Sequence, residues 1–183
     1  MKEDVRIQPL SIKGWLYCLL TGFIVLLFQG SIEGWLIPDG FGPDLSLILV
    51  LYLGLFAPLH SGALIVTALG FFKDVSGGGA FGVHPGIFLV IFLLEGQLRQ
   101  KIDPAAPWYQ MLYIGAFTLV SGSMVWLSFY LLGGPSPAPP ETFSNPMFAY
   151  LLSCLLTAGV GPIFFWLFDL IVPWFGLRTE AES

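Results

Sequence analysis

The chain has 183 residues, a length that suits one domain. Hydrophobic residues make up 56% and charged residues only 10%, whereas an ordinary soluble domain carries about 25% charged residues; a water-soluble globule is excluded because its surface would be starved of charge. The net charge of -5 comes from acids in loops and tails, and the seven basic residues are scattered, which excludes the clustered Lys and Arg that nucleic acid requires.

Lys2, Arg6 and Lys13 precede an apolar run from Trp15 to Phe28. No small-x-small cleavage site follows. The run continues through Gln29, Gly30 and Ser31, and further apolar segments come after it, so an uncleaved first span over about 14–36 is expected. Trp15, Tyr17 and Trp35 stand at its ends, where aromatic rings prefer the membrane interface. Gly30 and Gly34 have GxxxG spacing, which allows close helix approach.

Pro38, Asp39, Gly40, Gly42, Pro43 and Asp44 then mark a turn. Leu45 to Phe56 is almost wholly apolar; Pro58, His60, Ser61 and Gly62 interrupt it; Ala63 to Phe72 resumes it. This segment is either one long helix or a tight hairpin. Cytoplasmic flanks collect Lys and Arg, and that bias decides between the two. With a hairpin, Lys2, Arg6, Lys13, Arg99, Lys101 and Arg178 fall inside and only Lys73 outside. With one helix, Arg99, Lys101 and Arg178 move outside and Lys73 moves inside. The hairpin sorts the charges better. It predicts short spans over about 45–57 and 61–73, shielded in part by neighbouring helices, and both termini in the cytoplasm.

A polar loop, Lys73 to Gly79, leads to a span over about 81–98 that carries Glu95 near its end. Arg99, Lys101, Asp103, Pro104 and Pro107 form a cytoplasmic connection to a span over about 108–132. The stretch 133–146 holds five prolines and no basic residue, and reads as an extended external loop. The sixth span, about 147–175, is expected to tilt or break near Gly159, Gly161 and Pro162, and Ser153, Thr157 and Gly161 form a small-xxx-small face. The fold class is therefore all-α: one polytopic transmembrane domain of about six helices, in contact with the lipid bilayer.

Ionisable groups at membrane depth are costly and attract functional hypotheses. Here they are Asp44, His60, Lys73, Asp74, His84, Glu95 and Asp169. Asp44 follows Pro43 and opens a helix, where a carboxylate caps free N–H groups. Asp74, before three glycines, is expected at the interface with its charge reaching water; a polar contact that fixes the glycine loop or a partner is the alternative. Glu95 and Asp169 are expected at helix ends, with Arg99 as a possible mate. Cys18 and Cys154 sit inside apolar runs as packing residues. No Cys/His ligand spacing, GxSxG, P-loop or HExxH is present, so no metal, cofactor, catalytic residue or enzymatic activity is expected.

The segment Pro43 to Leu94 carries a family resemblance. Its Pro-Asp-Leu opening, its aliphatic run with Tyr52, the hairpin Gly62, the Gly70-Phe71-x-x-Asp74 turn, Gly77 and Gly82 resemble the rod shape-determining protein MreD family. Val66 replaces a glycine common in that family, and Lys73 within the turn is a further departure. The resemblance implies a non-enzymatic scaffold of the bacterial cell-elongation machinery in the inner membrane, serving peptidoglycan synthesis. Its implied partners are an MreC-like protein first, with MreB, RodA and a class B penicillin-binding protein. Pro43, Asp44, Tyr52, Gly62, Gly70, Asp74, Gly77 and Gly82 are then the partner-binding or structural motif. The family's fold also resembles the substrate-binding subunits of energy-coupling-factor transporters, so a small-molecule (vitamin) carrier is the rival. That rival would line a pocket with Trp35, His84 and Trp108, but the Ala-x-x-x-Ala face by which such subunits dock their coupling protein is replaced in the first span by Gly14, Cys18 and Gly22, with no alanine, which counts against it.

Overall fold

The computed structural model describes residues 12–35, 42–77, 81–98, 106–132 and 146–175, and these form six helices with no strand among them. In order they are α1 (Ile12–Trp35), α2 (Leu45–Phe56), α3 (Leu59–Gly77), α4 (Val83–Leu98), α5 (Pro107–Leu132) and α6 (Pro146–Phe175). The boundaries expected from sequence differ from these by at most four residues, at the end of α3, which runs to Gly77. The connection holding Arg99 and Lys101, the proline-rich stretch, Gly78, Gly79, the Trp35 side chain and the tail with Arg178 lie outside the described residues.

α1, α5 and α6 are each long and apolar enough to cross a membrane, with mean hydropathies of 1.5, 1.5 and 2.0. Their outward faces are apolar: α1 exposes Leu16, Leu20, Ile24 and Leu27 and turns Cys18, Gly22, Val25 and Gln29 inward. Apolar outward faces suit lipid as the surrounding solvent.

α2 behaves differently. At 12 residues it rises about 18 Å, short of the roughly 30 Å of a bilayer core. Every residue from Leu45 to Gly54 is buried, and α2 touches all five other helices. A helix apolar all round is enclosed by protein or by lipid, and here its neighbours enclose it. The sequence led us to expect partial shielding; the structure makes α2 the central post of the bundle.

Residues 45–77 are not one helix. Ala57 ends α2 in an extended conformation (φ -85°, ψ 149°), with its N–H still bonded to the Leu53 carbonyl. The Pro58 ring disfavours helical backbone at the residue before it. α3 starts at once, with Gly62 N–H donating to the Pro58 carbonyl at 2.7 Å, and returns alongside α2, so that its last turn meets the start of α2.

Lipid tails are as apolar as leucine, so helices in a bilayer associate through close packing and polar joints more than through apolar burial. Gly70 shows the packing: a Cβ there would lie 2.5 Å from the backbone of Pro85, so α3 and α4 approach as closely as a missing side chain allows. Gly62 leaves room for the Phe92 ring in the same way. α6 is continuous through Gly159, Gly161 and Pro162, so of the expected tilt or break the break does not occur. Gly161 sits against Ile114 of α5, and packing of this kind holds an interior proline in a helix that would bend alone.

Candidate functional site

The end of α1, the start of α2, the end of α3, the start of α4 and the first turns of α6 meet at one end of the bundle. Two carboxylates organise it.

Asp44 is the N-cap of α2. Its Oδ1 accepts from Leu47 N–H at 3.0 Å and from the Ser46 hydroxyl at 2.6 Å. Its Oδ2 accepts from Lys73 Nζ at 2.6 Å, and Lys73 also donates to Ser46 Oγ at 2.9 Å. The ammonium stands 5.3 Å from the centre of the Phe88 ring, within cation–π range. Asp44 N–H donates to Thr157 Oγ1 at 3.0 Å, and Ser46 N–H to Gln29 Oε1 at 3.2 Å. Thus α1, α3 and α6 are all fastened to the first turn of α2. Burial alone would raise the Asp44 carboxyl, but the charge and hydrogen bonds of Lys73, with the bonds from Ser46 and Leu47, outweigh it and hold the group below its ordinary value of 3.8.

Asp74 does for α4 what Asp44 does for α2, from another helix. Its Oδ2 accepts from Gly82 N–H at 2.6 Å, and its Oδ1 accepts from His84 N–H at 3.3 Å and meets His84 Nδ1 at 2.6 Å. Gly82 has φ +97°, a backbone that other L residues rarely adopt. The Asp74 side chain is 0% exposed, so the expectation that its charge reaches water is wrong: the free N–H groups at the start of α4 take the place of water.

The resemblance residues thus act as joints. Pro43 accepts from Leu45 N–H, Asp44 and Asp74 cap, Gly62 and Gly70 allow close approach, and Gly82 turns the chain. Tyr52, like Gly62, lies toward the other end, and it donates to Asp169 Oδ1 at 2.8 Å. There too lies Glu95, which is fully buried and not at an interface. One of its oxygens accepts from the Tyr113 hydroxyl; the other has no hydrogen-bond partner among the described residues and packs against Gly54. Its expected mate Arg99 lies outside the described residues. His60 is exposed in the first turn of α3, and both cysteines are buried free thiols.

A polar cleft of about 290 Å³ opens beside Asp44 and Lys73. Gly30, Gly42, Gly77 and Ser153 line it, and Ser153 Oγ donates to the Gly42 carbonyl at 3.1 Å. Among the described residues no three metal-ligating side chains come together. Ser46 and Lys73 form a close Ser–Lys pair, but the hydroxyl already donates to Asp44 and Ser46 is 2% exposed. This arrangement fixes helices in place and leaves the hydroxyl no path to a substrate.

Two expected surfaces are used inside the chain instead. Ser153 and Thr157 of the small-xxx-small face bond to residues 42 and 44. Gly14, Cys18 and Gly22 are buried, with Gly22 against Leu69 of α3, so that face is closed to a coupling protein. His84 opens α4 while Trp108 opens the antiparallel α5, so the two stand at opposite ends of the bundle and do not line one pocket.

Ser46, Gln29 and Thr157 were missed from sequence as site residues. Ser46 had a local signal, a hydroxyl two residues after a capping Asp; Gln29 had one too, a lone amide in an apolar span. No protein-family model matches the chain, and neither a curated protein nor a solved structure is significantly similar to it.

Proposed function

We propose that this chain is a non-enzymatic scaffold of the bacterial cell-elongation machinery, an MreD-like inner-membrane protein that holds an MreC-like partner close to the peptidoglycan-synthesising enzymes. One observation carries the proposal. The residues of the family resemblance build the joints around a single buried helix: Asp44 and Asp74 cap α2 and α4, Gly70 seats α4 on α3, and Gly82 makes the turn. A motif spent on rigid framework, with its polar groups engaged in fastening helices, suits a protein whose work is to present fixed surfaces to others.

In this reading all six helices lie within the membrane domain and both termini face the cytoplasm, as the basic residues favour. The end of the bundle with Asp44, Lys73 and Asp74 then faces the periplasm, where a partner with a periplasmic domain meets it. Depletion tests the reading. Removing the protein from a rod-shaped host is expected to round the cells before growth stops. Unchanged rods after full depletion would contradict it.

A further inference from the structure

We propose that the cleft beside Asp44 and Lys73 is a binding site for a small zwitterionic group, one that carries an ammonium and an acid on the same head. The site joins Asp44 and Gly77 of the family pattern to Lys73, Gly30 and Gly42 outside it, and its direct binding test does not rest on the scaffold reading.

The charge arrangement selects the ligand. The Lys73 ammonium and the Asp44 carboxylate are 2.6 Å apart, and their side chains are 16% and 23% exposed. A lone anion entering the cleft is drawn by one and repelled by the other at nearly the same distance; a lone cation meets the same cancellation. A ligand that carries both charges can lie antiparallel to the pair, its acid toward Lys73 and its ammonium toward Asp44, so that both contacts attract. Lys73 has three N–H donors, two of which go to Asp44 and Ser46.

The shape agrees. About 290 Å³ is the volume of roughly ten waters, which suits a head group and not an acyl chain. Two walls are glycines. A Cβ at Gly30 or Gly77 would meet none of the described residues within 4 Å, so a ligand can lie directly on the backbone there. Gly77 also ends α3, and the negative end of a helix dipole favours an ammonium. The same chemistry occurs in a phosphatidylethanolamine head group and in a free amino acid.

The test uses the full chain in a non-ionic detergent. Glycerophosphoethanolamine, alanine, glycerophosphoglycerol and ethanolamine are titrated calorimetrically, and native mass spectrometry follows release from nanodiscs with equal phosphatidylethanolamine and phosphatidylglycerol. At least one zwitterion is expected to bind about tenfold or more tighter than both singly charged probes, the effect of one added charge-assisted contact. Binding of glycerophosphoethanolamine with retention of phosphatidylethanolamine assigns the site to lipid; binding of alanine alone assigns it to a free amino acid. Gly77→Leu and Gly30→Leu fill the cleft without touching the ion pair, and each is expected to abolish binding at an unchanged melting temperature. Equal affinity for glycerophosphoglycerol, no binding of any zwitterion, or full binding by a folded Gly77→Leu protein would overturn the proposal.

Discussion

Lys73, in the last turn of α3, donates to the N-cap carboxylate of α2, Asp44, at 2.6 Å across 29 positions of sequence. This contact closes the α2–α3 hairpin at the end opposite to Pro58, and the same carboxylate fixes the first turn of α2. Removing Lys73 leaves that carboxylate half-enclosed without its cation. Lys73→Met is expected to cost about 1.5–3 kcal/mol, the usual effect of losing a hydrogen bond to a charged group. Adding Asp44→Asn removes the stranded charge and is expected to return part of the loss. Thermal unfolding of the three variants in one detergent checks both.

Acid should act through the same contact. The folded Asp44 carboxyl lies below its ordinary value of 3.8, so the folded state binds this proton less readily than the unfolded chain. Its contribution to stability is complete above that ordinary value and is lost as pH falls through the lower, folded one. A melting-temperature profile taken down through this window is expected to fall, and to fall less steeply in Asp44→Asn. Parallel profiles would remove Asp44 as a source of the acid limb.

Asp74 is a joint, and its replacement reports on folding before it reports on any partner. Asp74→Leu strands Gly82 N–H, His84 N–H and the His84 ring. The expected loss is about 2–4 kcal/mol, from a helix cap and lost hydrogen bonds to a charged group together. Asp74→Asn keeps an acceptor for Gly82 and should cost less. Thermal unfolding, with membrane fractionation to confirm insertion, separates the two.

Glycines in this chain divide by what surrounds them. Gly70→Val drives a side chain into the backbone of Pro85 and is expected to cost about 1–3 kcal/mol or more by overpacking. Gly159 has open space around it, so Gly159→Ala is expected to be neutral or to gain up to about 1 kcal/mol from helix propensity. A melt of each variant decides it.

Much of the framework was legible because its signals are local. A proline–aspartate pair before an apolar run announced the start of α2, and Pro58 together with the sorting of Lys and Arg announced the hairpin. The burial of the acids was not legible. Asp74 stands beside Lys73 and three glycines, a neighbourhood that looks wet, yet the groups that replace its water come from the next helix. Glu95 meets Tyr113, 18 positions away, and no periodicity links them. Lys73 looked like the odd basic residue of an external loop; in the structure it is the partner of Asp44. Pro162 promised a tilt or a break; α6 runs unbroken through it, with the neighbouring Gly161 packed against Ile114 of α5. Local chemistry reads from the chain; pairings between helices depend on which ends meet.

The scaffold reading stands or falls on a partner. The most direct measurement is affinity capture of the tagged, full-length chain from cross-linked native membranes, with captured proteins identified by mass spectrometry. Enrichment of an MreC-like protein over a tagged unrelated membrane protein is expected, with RodA-like and penicillin-binding proteins following it. Capture of intact chain with no such enrichment would contradict the scaffold reading.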